Sequence, residues 1–143
     1  MATDKSRLAA DVWKHLFDLL MRTSGERTRI LSRNGLTPND SRALMTLDVA
    51  RGRTMRSLAA EWECDASNAT FIIDRLEARG YARRLAMEGD RRIKWVRLTP
   101  SGLRVRRRVL EGMYKAPAEL LDLPRTTLVA LHRALTAGVS EHR

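Results

Sequence analysis

The residues that could do covalent or metal chemistry are few and far apart. His15, His132 and His142 do not cluster with acids at ligand spacing, and Cys64 is the single cysteine. No Gly-rich phosphate loop or nucleophile motif appears, so the side chains argue against an enzyme and call for no metal and no cofactor. His15 and His132 read as helix-face residues. A different chemistry gathers in residues 65–92. Ser67, Asn68, Thr70 and Phe71 precede Arg75, and Asp90, Arg91 and Arg92 follow a little later. Short polar side chains at the start of a helix, with an arginine further along, suit base edges in a DNA major groove. Arginines at the tip of a ribbon suit a sugar-phosphate backbone or a minor groove. Taken alone, the first set equally fits an amphipathic surface helix and the second a solvated loop.

The elements that must position these groups are legible around them. Asp65 caps a helix start, with Asn68 three residues on, and Gly80 supplies the left-handed residue that ends it. Ala69, Ile72 or Ile73, and Leu76 repeat at helical spacing and face a core. Before this helix, residues 54–62 read as a short helix and Glu63-Cys64-Asp65 as a tight turn. Together they form a helix-turn-helix pattern. After Gly80 the period becomes alternating: residues 81–86 and 93–98 read as two strands, joined by a loop over 88–92. Val96 and Leu98 share one face, Trp95 and Arg97 the other. The neighbouring helix-turn-helix is what turns the arginine-tipped hairpin from a charged loop into a candidate contact.

Upstream, Leu8, Val12, Leu16, Leu19 and Leu20 recur at helical intervals, continued by Ile30 and Leu31, with Gly25 as a weak point. This is one long helix or two, packed against a partner chain or within its own domain. Asn34-Gly35 closes it. Thr37, Pro38 and Asp40 open the next helix in cap, proline, acid order; Leu44 and Leu47 mark its buried face and Arg51-Gly52-Arg53 its end. Downstream, Thr99-Pro100 starts a helix with a dense basic start (Arg104, Arg106, Arg107, Arg108) and apolar Leu103, Leu110, Met113 and Tyr114. Pro117 ends or kinks it. Pro124 opens a last helix whose Leu128, Leu131, Leu135 and Val139 form an apolar stripe, suited to a dimer seam or to the first helix.

The whole composition bounds the partners. The 143 residues carry 27 Lys plus Arg against 17 Asp plus Glu, a formal net charge of +10. Such an excess favours a polyanion, nucleic acid before an anionic membrane surface. One cysteine excludes an internal disulfide framework and makes a reducing compartment the default. No apolar run is long enough to span a bilayer and no signal-peptide pattern opens the chain, so we expect a cytoplasmic protein with no membrane partner.

In order and spacing these motifs resemble the MarR family of winged helix-turn-helix transcriptional regulators. Leu36-Thr37-Pro38 resembles the start of the family's second helix. Leu58-Ala59 with the run from Leu76 through Glu77, Ala78, Arg79 and Gly80 to Tyr81 resembles its reading head. Asp90-Arg91-Arg92 resembles the Asp-x-Arg wing motif, and the run from Val96 to Thr99, Pro100, Ser101 and Gly102 the exit from the wing. The resemblance implies a mainly α fold with a small β-hairpin wing: a winged helix-turn-helix with helical dimerisation arms. Residues 1–34 would be an N-terminal dimerisation region, 35–99 the DNA-binding domain and 100–143 the C-terminal dimerisation helices. It implies a homodimer, with Ser67, Asn68, Thr70 and Phe71 in the major groove and Arg75 near phosphates. Arg92 would enter the minor groove, held by Asp90 through a charge-assisted hydrogen bond; Arg56 is a lesser phosphate candidate. Family members often carry a basic residue where this chain has Phe71, which can touch a thymine methyl but cannot grip guanine bidentately. Glu63 stands where glycine is common, suggesting a slightly different turn, and Trp62 replaces a smaller core residue.

The resulting expectation is a sequence-specific regulator of double-stranded DNA, a ligand-responsive repressor acting as a homodimer on a pseudo-palindromic operator. Two other functions are compatible with the same residues: a non-specific architectural DNA-binding protein without a ligand, and a redox-responsive regulator using Cys64. Asp65 beside Cys64 disfavours a thiolate, which points to a structural cysteine. For a small-molecule effector, Trp13, His15, Phe17 and Met45 are candidate lining residues of an interhelical cleft, though packing explains them too.

Overall fold

Local punctuation decides where the helices start and stop. The computed structural model describes residues 3–137. Helices α1 (Asp4–Arg22), α2 (Ser24–Arg33) and α3 (Pro38–Thr46) come first, then strand β1 (Arg53–Thr54), α4 (Met55–Glu61) and α5 (Ala66–Ala78). Strands β2 (Ala82–Met87) and β3 (Asp90–Leu98) and helix α6 (Pro100–Met113) follow, and then α7 (Ala118–Leu121) and α8 (Arg125–Ala137). Residues Met1–Met113 make one compact unit and Tyr114–Arg143 another. Val139 and His142 lie outside the described residues.

The side chains of Thr37, Thr54 and Asp65 each accept a backbone N–H in the first turn of α3, α4 and α5. At Thr37 the bond is reciprocal, because Asp40 accepts the Thr37 N–H in return. Three helices end alike. The N–H two residues past the cap returns to the carbonyl five residues earlier: Leu36 to Leu31, Cys64 to Ala59, and Tyr81 to Leu76. The residue between must turn left-handed. Gly35 and Gly80 do so at φ 64 and 72, and Glu63 does so at φ 51 without being a glycine.

The core of the first unit lies between α3, α4, α5, α6 and the sheet. Leu44, Leu47, Leu58, Ile72, Ile73, Leu76, Val96 and Val109 are fully buried in it, each stabilising by about 1.5–3 kcal/mol. Trp62 is buried there too and donates its indole N–H to Thr46 Oγ1 at 3.2 Å. Gly102 lies where α6 meets the end of α5: a Cβ there would collide with the Tyr81 carbonyl oxygen.

Several boundaries differ from expectation. The break in the first helical stretch is at Thr23, whose hydroxyl turns back to Leu19 and Leu20 carbonyls; Gly25 lies inside α2. Helix α3 stops at Thr46 instead of at residues 51–53, and Asp48 gathers the intervening loop by accepting the N–H groups of Ala50 and Arg51. The ribbon is a three-stranded antiparallel sheet in the order β1-β3-β2, with Arg53 opposite Val96. Strand β3 continues through Asp90, Arg91 and Arg92, placed in the loop by the sequence reading. The turn is only Glu88-Gly89, and the register slips at Ala86/Met87. Helix α6 buries Val105 and Val109, not Leu110, while Tyr114 is 80% exposed. The short α7 was not anticipated.

Candidate nucleic-acid interface

Helix α5 has two faces because four of its residues are spent on the core. Ala69, Ile72, Ile73 and Leu76 point inward. Ser67, Asn68 and Thr70 are exposed, and so is Phe71 at 61%. The face is anchored by the turn behind it: Asp65 Oδ1 accepts the Asn68 N–H at 2.6 Å, and Cys64 packs half-buried against the core. Cys64 thus occupies the place where a helix-ending motif sets an apolar residue against the helix it closes.

The arginines around this face divide into engaged and free. Arg75 is engaged: its Nε and Nη2 donate to Asp40 Oδ1 and Oδ2 at 3.2 and 2.9 Å. Its guanidinium carbon lies 5.9 Å from the centre of the Phe71 ring. Arg75, expected near phosphates, has its charge compensated by a carboxylate within the protein. Burial pushes the Asp40 carboxyl up, but the bonds from Arg75 and from Thr37 outweigh it and hold the group below its ordinary range. Arg79 grips the Gly35 and Asn34 carbonyl oxygens and lies over the Tyr81 ring. Arg84 bridges Asp74 and Glu77 at 2.8 and 3.0 Å, offsetting part of the negative charge of α5. Arg53 pairs with Glu61, and Arg106 donates to the Leu44 and Leu47 carbonyls at 3.3 and 2.7 Å, closing the end of α3.

Free guanidiniums stand on the wing and at the start of α4. Arg91 and Arg56 are exposed and enter no ion pair among the described residues. The Arg92 side chain is 95% exposed; its Nε is 3.6 Å from Asp90 Oδ1, too far for the expected hydrogen bond. Asp90 instead accepts the backbone N–H of Arg92 at 2.9 Å, so it braces the strand and leaves the arginine head loose.

The structure thus gathers Ser67, Asn68, Thr70 and Phe71 on one exposed helix face, and Asp90, Arg91 and Arg92 at the turn end of the wing. The effector candidates lie on α1 and α3. Trp13 and Phe17 are ring neighbours on α1 at 6.5 Å, His15 is exposed on the same helix, and Met45 sits partly exposed on α3. The roles of Asp40, Arg79, Arg84 and Arg106 were not foreseen. Only Asp40 left a signal, as the acid of a capping box.

A capped second helix set against a short first one, followed by a three-stranded wing, defines a winged helix-turn-helix. Residues 34–93 match the model of the MarR family. The fold is shared over nearly the whole chain with YusO from Bacillus subtilis, at 23% identity and TM-score 0.76, covering 99% of this chain and 100% of that one. The multiple antibiotic-resistance repressor MarR from Listeria monocytogenes matches at 16% identity and TM-score 0.80, covering 97% and 99%. A variant of MepR from S. aureus, solved bound to an oligodeoxyribonucleotide, matches at 18% identity and TM-score 0.72, covering 92% and 98%. At such identities these likenesses carry the fold alone. No curated protein sequence matches the chain. The winged helix-turn-helix segment thus resembles the MarR family, and the whole chain shares the fold of these structures. Among the described residues, no helix is long and apolar enough to cross a membrane.

Proposed function

We propose that this chain is a MarR family transcription regulator that binds double-stranded DNA sequence-specifically as a homodimer on a pseudo-palindromic operator in the cytoplasm, and acts as a repressor released by a small molecule. The observation that carries the proposal is the exposed face of α5 beside the free arginines of the wing. Ser67, Asn68, Thr70 and Phe71 would meet base edges in the major groove. Arg91 and Arg92, braced by Asp90, would reach the minor groove, and Arg56 a phosphate. Arg75 would touch DNA only with the edge that Asp40 leaves open. Residues 1–34 and 100–143 would supply the dimer arms. In support, Leu8, Val12, Trp13, Phe17, Leu20 and Met21 of α1 are each at least half exposed, a face that a second copy would cover. Twofold symmetry would then set two α5 helices about 34–36 Å apart, one turn of DNA. An effector held near Trp13, His15, Phe17 and Met45 would release DNA by favouring a dimer with another spacing.

The test is an electrophoretic shift with DNA from upstream of the chain's own coding sequence. We expect a band that resists random competitor at moderate salt. Replacing both Arg91 and Arg92 by alanine should weaken binding about tenfold or more and flatten its salt dependence by roughly two charges. Equal affinity for random DNA would overturn the operator reading.

A further inference from the structure

Asp40 does more than its place in a capping box requires. A cap needs one carboxylate oxygen at a helix end, and such caps are ordinarily open to water. Here the Asp40 side chain is 2% exposed, and both carboxylate oxygens are used. Oδ2 accepts the Thr37 N–H at 2.9 Å and the Arg75 Nη2 at 2.9 Å, while Oδ1 accepts the Arg75 Nε at 3.2 Å. Two parallel bonds to a planar fork fix the plane of the guanidinium as well as its position. The guanidinium carbon lies over the ring of Phe71, one turn earlier on α5, at 5.9 Å from the ring centre. One turn later, Arg79 holds the Asn34 and Gly35 carbonyls at the same α2–α3 corner. The C-terminal half of α5 is therefore tied to that corner at two successive turns, which resists rotation of the helix about its axis.

We infer that Asp40 is a positioning residue for base reading: through Arg75 it sets the orientation of Phe71 and of the α5 face, and it withholds the Arg75 charge from the DNA backbone. The inference rests on the proposal that α5 reads DNA. A phenyl ring has no hydrogen bonds with which to find its own orientation, so its discrimination depends on being held. The Arg75 side chain is 39% exposed, so its charge is within reach of a phosphate once the carboxylate is gone.

The experiment selects bound sequences from a random duplex library with the full-length wild type, Asp40→Asn and Arg75→Lys, then measures affinity against salt for each. Circular dichroism and melting confirm that each variant is folded. Asn at position 40 keeps an oxygen for the Thr37 N–H and removes the charge. It should lower discrimination at the Phe71-read base pair by about tenfold and steepen the salt slope by about one charge. Arg75→Lys keeps the charge and loses the fork, so it should lose the same discrimination with an unchanged slope. If both variants melt earlier yet keep the wild-type base profile and slope, Asp40 is only structural and the inference is overturned. If Asp40→Asn does not fold, Arg75→Lys decides through the base profile alone. A wild type that selects no sequence would instead sink the proposed function.

Discussion

Helix α5 is 13 residues long and buries Ala69, Ile72, Ile73 and Leu76; helix α1 is 19 residues long and buries none. Both carry apolar side chains at helical spacing. The difference lies in what each meets: α5 is packed by α3, α4 and β2 and held by Arg75, Arg79 and Arg84. Helix α1 leaves Trp13 66% and Leu8 64% exposed. An isolated helix in water has little stability of its own and takes most of it from the packing of one face. The helix-turn-helix is therefore complete within one chain, while α1 is the element whose order would depend on a second.

The sharpest way to break this contrast is to damage each helix in turn. Leu76→Ala empties a fully buried site and should cost about 2–5 kcal/mol, read as a loss of urea midpoint that does not change with protein concentration. A loss that grows on dilution would mean that the head, too, leans on a partner. Phe17→Asp places a charge on the open face of α1. It should leave the head folded but weaken self-association by a hundredfold or more, roughly 3 kcal/mol, in sedimentation equilibrium. A wild type that sediments as a monomer at micromolar concentration would remove the basis for the arms.

Which parts of this contrast could be read beforehand follows from how far apart the interacting residues lie. Caps and helix ends are made by neighbours, so Thr37, Asp65 and Gly80 declared α3 and α5 directly. The buried stripe of α5 was equally plain, because one helix writes its own period. The alternation Val96-Arg97-Leu98 gave the inner face of β3. In contrast, Arg75 meets Asp40 at a separation of 35 residues, and Arg106 meets Leu47 at 59. No local pattern announces such a pair, and an arginine on a basic helix looks free until its carboxylate is placed. Strand β1, only Arg53–Thr54, exists because Val96 and Trp95 of β3 lie opposite it. Arg91 and Arg92 of the wing were legible for the converse reason: among the described residues they pair with nothing distant in sequence.

A smaller effect sharpens the account of how α5 is fastened. The Asp40 carboxyl is held below its ordinary value in the folded protein, after its burial is outweighed by Arg75 and Thr37. Its pairing therefore contributes fully above the unfolded carboxylate value, near pH 4, and is lost as pH falls through the lower folded-state value. Wild type should lose urea stability over that acid range more steeply than Asp40→Asn, which has no group there to titrate. Parallel curves for the two proteins would mean that the ion pair contributes nothing beyond the cap.

The smallest effect concerns the turn that aims α5. Glu63 closes α4 at φ 51, with Cys64 N–H bonded to the Ala59 carbonyl at 3.1 Å. Left-handed backbone costs a residue with a Cβ about 1–2 kcal/mol, and glycine nothing. Glycine, however, gives the unfolded chain more freedom, worth about 0.5–1 kcal/mol in the other direction. Glu63→Gly should therefore stabilise by a net ~0.5–1 kcal/mol, a rise of a few degrees in melting temperature, with DNA affinity unchanged. The Glu63 side chain is exposed and enters no ion pair among the described residues, so nothing on that side offsets the gain. A destabilised variant would show that the turn needs the glutamate itself. The rigidity of α5 would then begin in the turn before the helix, ahead of the Asp40 and Arg75 clasp at its far end.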